Sequence, residues 1–471
     1  MRYAALLALL CAVPLVPAVA RAHGRQPSLG QIAFDPSDPQ HLVIRGTWAF
    51  LTSRDDGAHY TWTCALAVGY DRTIEDPRVA VLASGRVLAG TFDGLSRSDP
   101  SGCSYELVTD PAVAGLLVID VVRDPAVPSS VWVATSPGDR PNTILFSTDE
   151  GATFETRGSF PMGTLIERVV VAPSDPSRVY VSGVTLRTTS DPRRGYVWRS
   201  TDGGRTFMAT EIPLIDVDRT DYGERNVHVM AVDPTNPDVV FARTVRRTTD
   251  NMVERLLRSE DGGATFHEVA AMGEITGVVV SDDGTHVWAG SWYATDASMG
   301  VVGGLHRSDD RGQTFSALDP TLAVRCLAYR TGELWVCTDD VAGPFALGRS
   351  TDLGQTLTPL WTFSDATNDV GCGTCSQVGT LCPAYWPDVE FDLGLPTSTT
   401  DALPPDPDAS IPASCTDGGG ELDAAFDAGI DAASGPAPRA NCGCSAASRT
   451  TPGWSWMLAA LVLLARRRRP R

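Results

Sequence analysis

Lysine is absent from this 471-residue chain, so all 38 basic residues are arginine. Schiff-base chemistry and a P-loop lysine are thereby excluded. Positive charge is scarce as well: 57 Asp and Glu outnumber the arginines and leave a formal charge of −19. A chain of that sign lacks the basic footprint through which nucleic acids are held, and no nucleic-acid partner is expected. Histidine occurs only seven times and never at an evident partner spacing, and H-E-x-x-H, G-x-S-x-G and dinucleotide-binding loops are missing. No metal and no cofactor are therefore expected. Asp216, Asp218, Asp221 and Glu224 miss the D-x-D-x-D-G register of a calcium loop, and His23 has no second histidine with which to hold copper.

Apolar runs are confined to the two ends. Residues 1–22 combine Arg2, an apolar stretch and small residues at Ala20 and Ala22, the pattern of a secretory signal. At the other end an apolar run from Trp454 to Ala465 precedes five arginines among the last six residues. Twelve residues rise about 18 Å as a helix, short of a bilayer core of about 30 Å. We read residues 441–471 as a processed sorting or anchor segment, the only part expected to meet a membrane. It resembles the C-terminal sorting tails of myxobacterial surface proteins, which implies Cys444 as the site of processing or lipidation. Residues 396–440 hold eight acidic residues against Arg439 alone and are rich in Ala, Pro and Gly, the composition of a disordered acidic stalk. An exported protein, at the cell surface, outer membrane or outside the cell, is expected.

Export makes disulfides the default for Cys64, Cys103, Cys326, Cys337, Cys372, Cys375, Cys382 and Cys415. Cys326 and Cys337 flank a short hairpin and are expected to pair across it, and Cys64 is assigned to Cys103 in the adjacent repeat. The Cys372/Cys375 pair has C-x-x-C spacing but no second such pair and no nearby histidine, which argues for structural bridges rather than zinc.

What the chain has in abundance is turns, with 44 glycines and 33 prolines, and one turn recurs. STDEGATF (147–154), STDGGRTF (200–207), SEDGGATF (259–266), SDDRGQTF (308–315) and STDLGQTL (350–357) share the pattern S-x-D-x-G-x-T-F. SRDDGAHY (53–60) and SDPSGCSY (98–105) are degenerate copies, the second with Pro100 in the Asp place. The leading serines are 45, 49, 53, 59, 49 and 42 residues apart, the length of one four-stranded blade with its loops. Asp55, Asp149, Asp202, Asp261, Asp310 and Asp352 are read as turn builders whose carboxylates accept from backbone N–H groups, not as catalytic or metal-binding groups. Upstream of the turns, segments such as QIAFDPSDPQHLVIRG and VMAVDPTNPDVVFAR alternate apolar and polar residues around D-P or N-P, a hairpin signature. The expected fold is all-β: a seven-bladed propeller of four-stranded antiparallel blades over residues 23–368, with a cysteine-bearing appendix at 369–395 forming a clasp on the last blade.

The repeated motif resembles the Asp-box (BNR) repeat of bacterial sialidases, xyloglucan-degrading enzymes and sortilin-type receptors. That resemblance implies the propeller fold, and for function it implies hydrolases and binding proteins alike. A sialidase-type site needs an arginine cluster opened by an F/Y-R-I-P motif, where this chain offers only VIRG around Arg45. A xyloglucanase-type site needs carboxylates across a cleft between two propellers, and one propeller is all that fits here. Long connections carry Arg187, Arg193, Arg194, Arg243, Arg246, Arg247, Trp292 and Tyr293, a mixture of guanidinium forks and aromatic faces suited to an acidic glycan or a carboxylate-bearing peptide. The expectation is a monomeric, non-catalytic binding or adhesion module for glycans or extracellular proteins, with a secreted glycoside hydrolase, sialidase-like or xyloglucanase-like, as the alternative.

Overall fold

Each of the seven repeats folds as its own four-stranded antiparallel sheet with strands in sequential order, and the seven sheets make a β-propeller. The structure, a computed structural model, describes residues 25–215, 223–246, 253–292, 303–340 and 343–396. The expected signal segment, acidic stalk and sorting tail, with His23, Cys415 and Cys444, lie outside the described residues, as do Arg247, Tyr293, Asp216, Asp218 and Asp221. Among the described residues no helix is long and apolar enough to cross a membrane.

The first strands of the blades surround the axis: Leu29–Phe34, Arg78–Val81, Val118–Arg123, Thr164–Ala172, Glu224–Asp233, Ile275–Val280 and Val324–Arg330. Each touches the first strand of the next blade, and the last touches the first. Val, Ile and Leu on both faces of the sheets fill the spaces between neighbouring blades. This stacking is why the strands read as apolar on two faces instead of one.

The repeated turn joins the third and fourth strands of every blade, and its serine ends the third strand. In blade 4, Ser200 Oγ donates to Asp202 Oδ1 (2.7 Å) and accepts from Gly204 N (2.8 Å). Asp202 in turn accepts from the backbone N–H and the hydroxyl of Thr206, at 2.9 and 2.7 Å. The same bonds recur about Asp149, Asp261, Asp310 and Asp352. In blade 2, where Pro100 removes the aspartate, Asp99 replaces it by accepting from the N–H groups of Cys103 (2.8 Å) and Ser104 (3.2 Å). The motif glycine has a second duty. A side chain on Gly312 would be strained at φ 78°, and its Cβ would lie 2.3 Å from the Phe241 ring on the second strand of the preceding blade. Gly57 rests in the same way on Trp335, which carries the relationship across the junction of blades 7 and 1.

Cys326 and Cys337 are cross-strand partners and are bonded, as the hairpin requires. Cys64 does not pair with Cys103. Cys64 is bonded to Cys382 and Cys103 to Cys372, and Cys375 is also disulfide-bonded. The appendix therefore clasps blades 1 and 2, not the last blade. Trp62 N donates to Asp369 O (3.0 Å), Tyr105 N to the Gln377 side chain (2.6 Å), and the Trp62 and Trp386 rings lie 5.5 Å apart. The reason is topological: blades adjacent in sequence keep equivalent turns apart, whereas the segment leaving blade 7 arrives beside blade 1.

Candidate functional site

Register places one residue of each first strand at a common level around the axis. On every second strand, the residue three positions beyond the partner of the motif serine pairs with it: Arg45 with Gln31, Gly90 with Arg78, Ala134 with Asp120, Ser182 with Arg168, Arg243 with His228, Gly290 with Gly277, and Cys337 with Cys326. Small residues fill the second-strand position in blades 2, 3, 4 and 6, while blades 1 and 5 have arginine. The Arg45 guanidinium lies directly over Gly30, where a Cβ would fall 2.3 Å from its Nη2. Arg45, Arg78, Arg168, Arg243 and His228 therefore form a cationic and polar ring inside a protein of strongly negative charge.

Three of the four guanidiniums have a carboxylate. Arg45 Nη1 lies 2.6 Å from Asp76, Arg243 Nη1 2.8 Å from the buried Glu254, and Arg168 Nη1 3.9 Å from Asp120. Arg78 has no hydrogen bond and no ion pair within 4 Å among the described residues. Burial, then Arg168, then Arg45 and Arg243 hold the Arg78 guanidinium well below the ordinary arginine value, partly offset by Asp120. Blades 2 and 5 are not neighbours, so this repulsion acts across the axis. His228 is likewise held well below its usual value, first by burial and then by Arg243, Arg168 and Arg78, and stays a neutral imidazole. Its Nδ1 is 3.5 Å from Arg243 Nη2.

Glu167 sits beside this ring, on the bulge between Ile166 and Arg168 of the blade 4 inner strand. Burial raises its carboxyl above the ordinary range against the opposing pull of a hydrogen bond with Asn226 and the charges of Arg168 and Arg78. Asp120 raises it further. Asp120 itself is buried and accepts from Val121 N (3.1 Å) and Val169 N (2.9 Å). Two carboxyl groups close enough to act on one another, one of them raised by burial, are a candidate pair for proton transfer.

The residues expected from sequence to form a rim site are spread over several surroundings. Arg194 pairs with Glu211 (3.0 Å) and Arg193 donates to the carbonyl of Arg225 (3.0 Å). Arg246 is 3.6 Å from Glu224, and the exposed Arg187 lies on the connection after the second strand of blade 4. Trp292 stacks under Arg325 of blade 7, 3.5 Å from the guanidinium carbon to the ring centre, with Asp339 at 2.9 Å from Arg325. Of the set, Arg243 is the one in the axial ring. Glu224, the last acidic residue of the segment that misses the calcium register, is engaged by Arg255 (2.7 Å) and by Ile215 N (2.8 Å). Reasoning from linear order missed Arg78, Arg168, His228, Asp120 and Glu167. The available signal was a charged residue opening an otherwise apolar strand, as in RVAV and ERVVVA.

No family model matches the chain. A xyloglucanase from Paenibacillus sp. is 28% identical over 265 residues, which are 47% of this chain and 25% of that enzyme. The chain is similar to xyloglucanases. A second, from Hypocrea jecorina, is 28% identical over 148 residues, 30% of this chain and 16% of the enzyme. The chain thus spans about a quarter or less of the length of these relatives. Among solved structures, the GH74 xyloglucanase from Xanthomonas campestris has a TM-score of 0.40 at 16% identity over 70% of this chain and 72% of that one. An ancestral GH74 enzyme has a TM-score of 0.42 at 14% identity over 71% and 54%. The expectation of a non-catalytic binding module is overturned by the sequence relatives, which are xyloglucanases. That expectation weighs the VIRG segment and the room for a single propeller, and neither bears on Asp120 and Glu167, the carboxyl groups that blades 3 and 4 bring to the axial ring.

Proposed function

We propose that the protein is an exported glycoside hydrolase that acts on a glycan at its axial channel, with Glu167 as the proton donor to the leaving sugar oxygen. The observation that carries this reading is the position of Glu167, on an inner-strand bulge beside the arginine ring, with a carboxyl held above its usual range by burial. A general acid must keep its proton near neutral pH, and burial is the ordinary way to achieve that for glutamate. Similarity to xyloglucanases supports a polysaccharide substrate. The disulfides support an oxidising compartment and hence the reading of residues 1–22 as an export signal, with 396–440 as stalk and 441–471 as sorting segment. The seven turns support assignment of the repeat to the Asp-box type.

The test is release of reducing sugar from xyloglucan, other β-glucans and acidic polysaccharides by the purified full chain. Glu167→Gln preserves shape and removes the proton, so kcat should fall by about 10²–10⁴-fold with little change in KM. Absence of product from every polysaccharide, or a variant as active as the parent, would overturn the proposal.

A further inference from the structure

Charge balance within the axial ring is incomplete. Asp76 answers Arg45, Glu254 answers Arg243 and Asp120 answers Arg168, each within 4 Å. Burial holds His228 well below the usual imidazole range. One guanidinium, that of Arg78, is left over. It is half-buried on the channel face of blade 2, opposite Gly90, and has neither a hydrogen bond nor an ion pair among the described residues. An arginine held partly out of water is ordinarily met by an anion, because its charge is costly to desolvate unpaired. Of the charges at this level, Arg168, Arg45 and Arg243 repel it and only Asp120 attracts it.

We propose that the channel binds a monoanionic group borne on a sugar, a uronate carboxylate or a sulfate monoester, with Arg78 as its principal contact and Arg168 beside it. A guanidinium fork matches two oxygens of such a group in one plane. Of the four guanidiniums Arg78 alone has no carboxylate within 4 Å among the described residues, so one anionic group suffices to answer it. A phosphate dianion would bring a second negative charge next to Asp120, while Arg45 and Arg243 are already committed to Asp76 and Glu254. The neutral imidazole of His228 supplies a further hydrogen-bonding edge at the same level. The inference deepens the hydrolase reading by naming the substrate class as acidic, yet the binding it describes does not require that bonds be cleaved.

Calorimetric titration of the full chain in low-salt bis-tris buffer tests it with four probes: methyl β-D-glucuronoside, a 6-sulfated methyl glucoside, the neutral methyl β-D-glucoside and inorganic phosphate. We expect one or both of the monoanionic sugars to bind at least about 10-fold more tightly than the neutral glucoside and than phosphate. The glucuronoside binding best assigns the carboxylate; the sulfated sugar binding best assigns the ester. Arg78→Met should abolish that preference, and because Arg78 has no ion pair to lose, the melting temperature should hold or rise. Equal affinity for the neutral glucoside, phosphate binding as tightly as the sugars, or full affinity in a folded Arg78→Met variant would each overturn the proposal. Hydrolysis of neutral glycans by parent and Arg78→Met alike would leave the hydrolase reading standing and remove this one; Arg78-dependent binding with no hydrolysis would do the reverse.

Discussion

Cys64 and Cys382, 318 residues apart, are joined by a disulfide across Cα atoms 5.2 Å apart. Among the described residues no blade is completed by a strand from the other end of the chain: the strands of blade 1 are the first four in order. The ring is therefore closed by packing between blades 7 and 1 and by the appendix that leaves blade 7 and is bonded to blades 1 and 2. At the junction Asp56 receives Arg330 (2.6 Å) and Arg349 (2.8 Å), and the rings of Phe34 and Trp335 lie 5.6 Å apart. Cross-linking a loop of this length constrains the unfolded chain by on the order of 5 kcal/mol on the chain-entropy account.

Cys382→Ser should accordingly lower stability by several kcal/mol, and the loss should appear first at the junction of blades 7 and 1. Thermal melts give the overall loss. Hydrogen exchange should show faster opening of Leu29–Phe34 than of the inner strand of blade 4, and uniform exchange in both would contradict the clasp.

Acid should weaken the turns. Hydrogen bonds from Thr265 to Asp261, from Ser308 and Thr314 to Asp310, and from Thr356 to Asp352 hold these three carboxyls down at about 2. In the unfolded chain such groups titrate at about 3.9, so between those values the unfolded state binds more protons than the folded one. Stability from the turns is thus complete above about pH 4 and is lost as pH falls toward about 2. Melting temperature measured from about pH 5 down to about pH 2 should drop across that window, and less steeply in Asp310→Asn.

Two adjacent residues of one turn should respond with opposite signs. Arg311 sits at φ 62° and its ion pair with Asp233 is a loose 3.7 Å, so Arg311→Gly relieves backbone strain and should stabilise by about 1 kcal/mol. Gly312→Ala places a methyl group against Phe241 at φ 78° and should destabilise by about 2 kcal/mol or more. Denaturant titration of both variants checks the pair.

Removing Glu254 should be costly. It is almost fully buried and accepts from Arg243 (2.8 Å), from Ile275 N (2.9 Å) and from Arg246 N (3.1 Å). Glu254→Ala takes the carboxylate from Arg243, which keeps the Ile275 carbonyl, and leaves two N–H groups unpaired, which should cost about 3–5 kcal/mol in a denaturant titration. Replacement of the exposed Glu211, paired with Arg194, should change stability by less than about 1 kcal/mol.

Local chemistry was legible from the chain itself. Seven turns, their aspartates, their glycines and the hairpins between them all follow from contacts within a few residues, so the number of blades and the strand order could be read by counting. Even the loss of the aspartate at Pro100 was visible, though its replacement by Asp99 needed backbone positions to be known. What tertiary structure alone decided are the relationships between blades. The partners of Cys64 and Cys103 depend on which segments meet when the ring closes. The arginine ring depends on register, which brings Arg45, Arg78, Arg168 and Arg243 from four repeats to one level of one axis. Neighbours along the chain do not reveal such a site, because the propeller builds it from residues separated by whole blades.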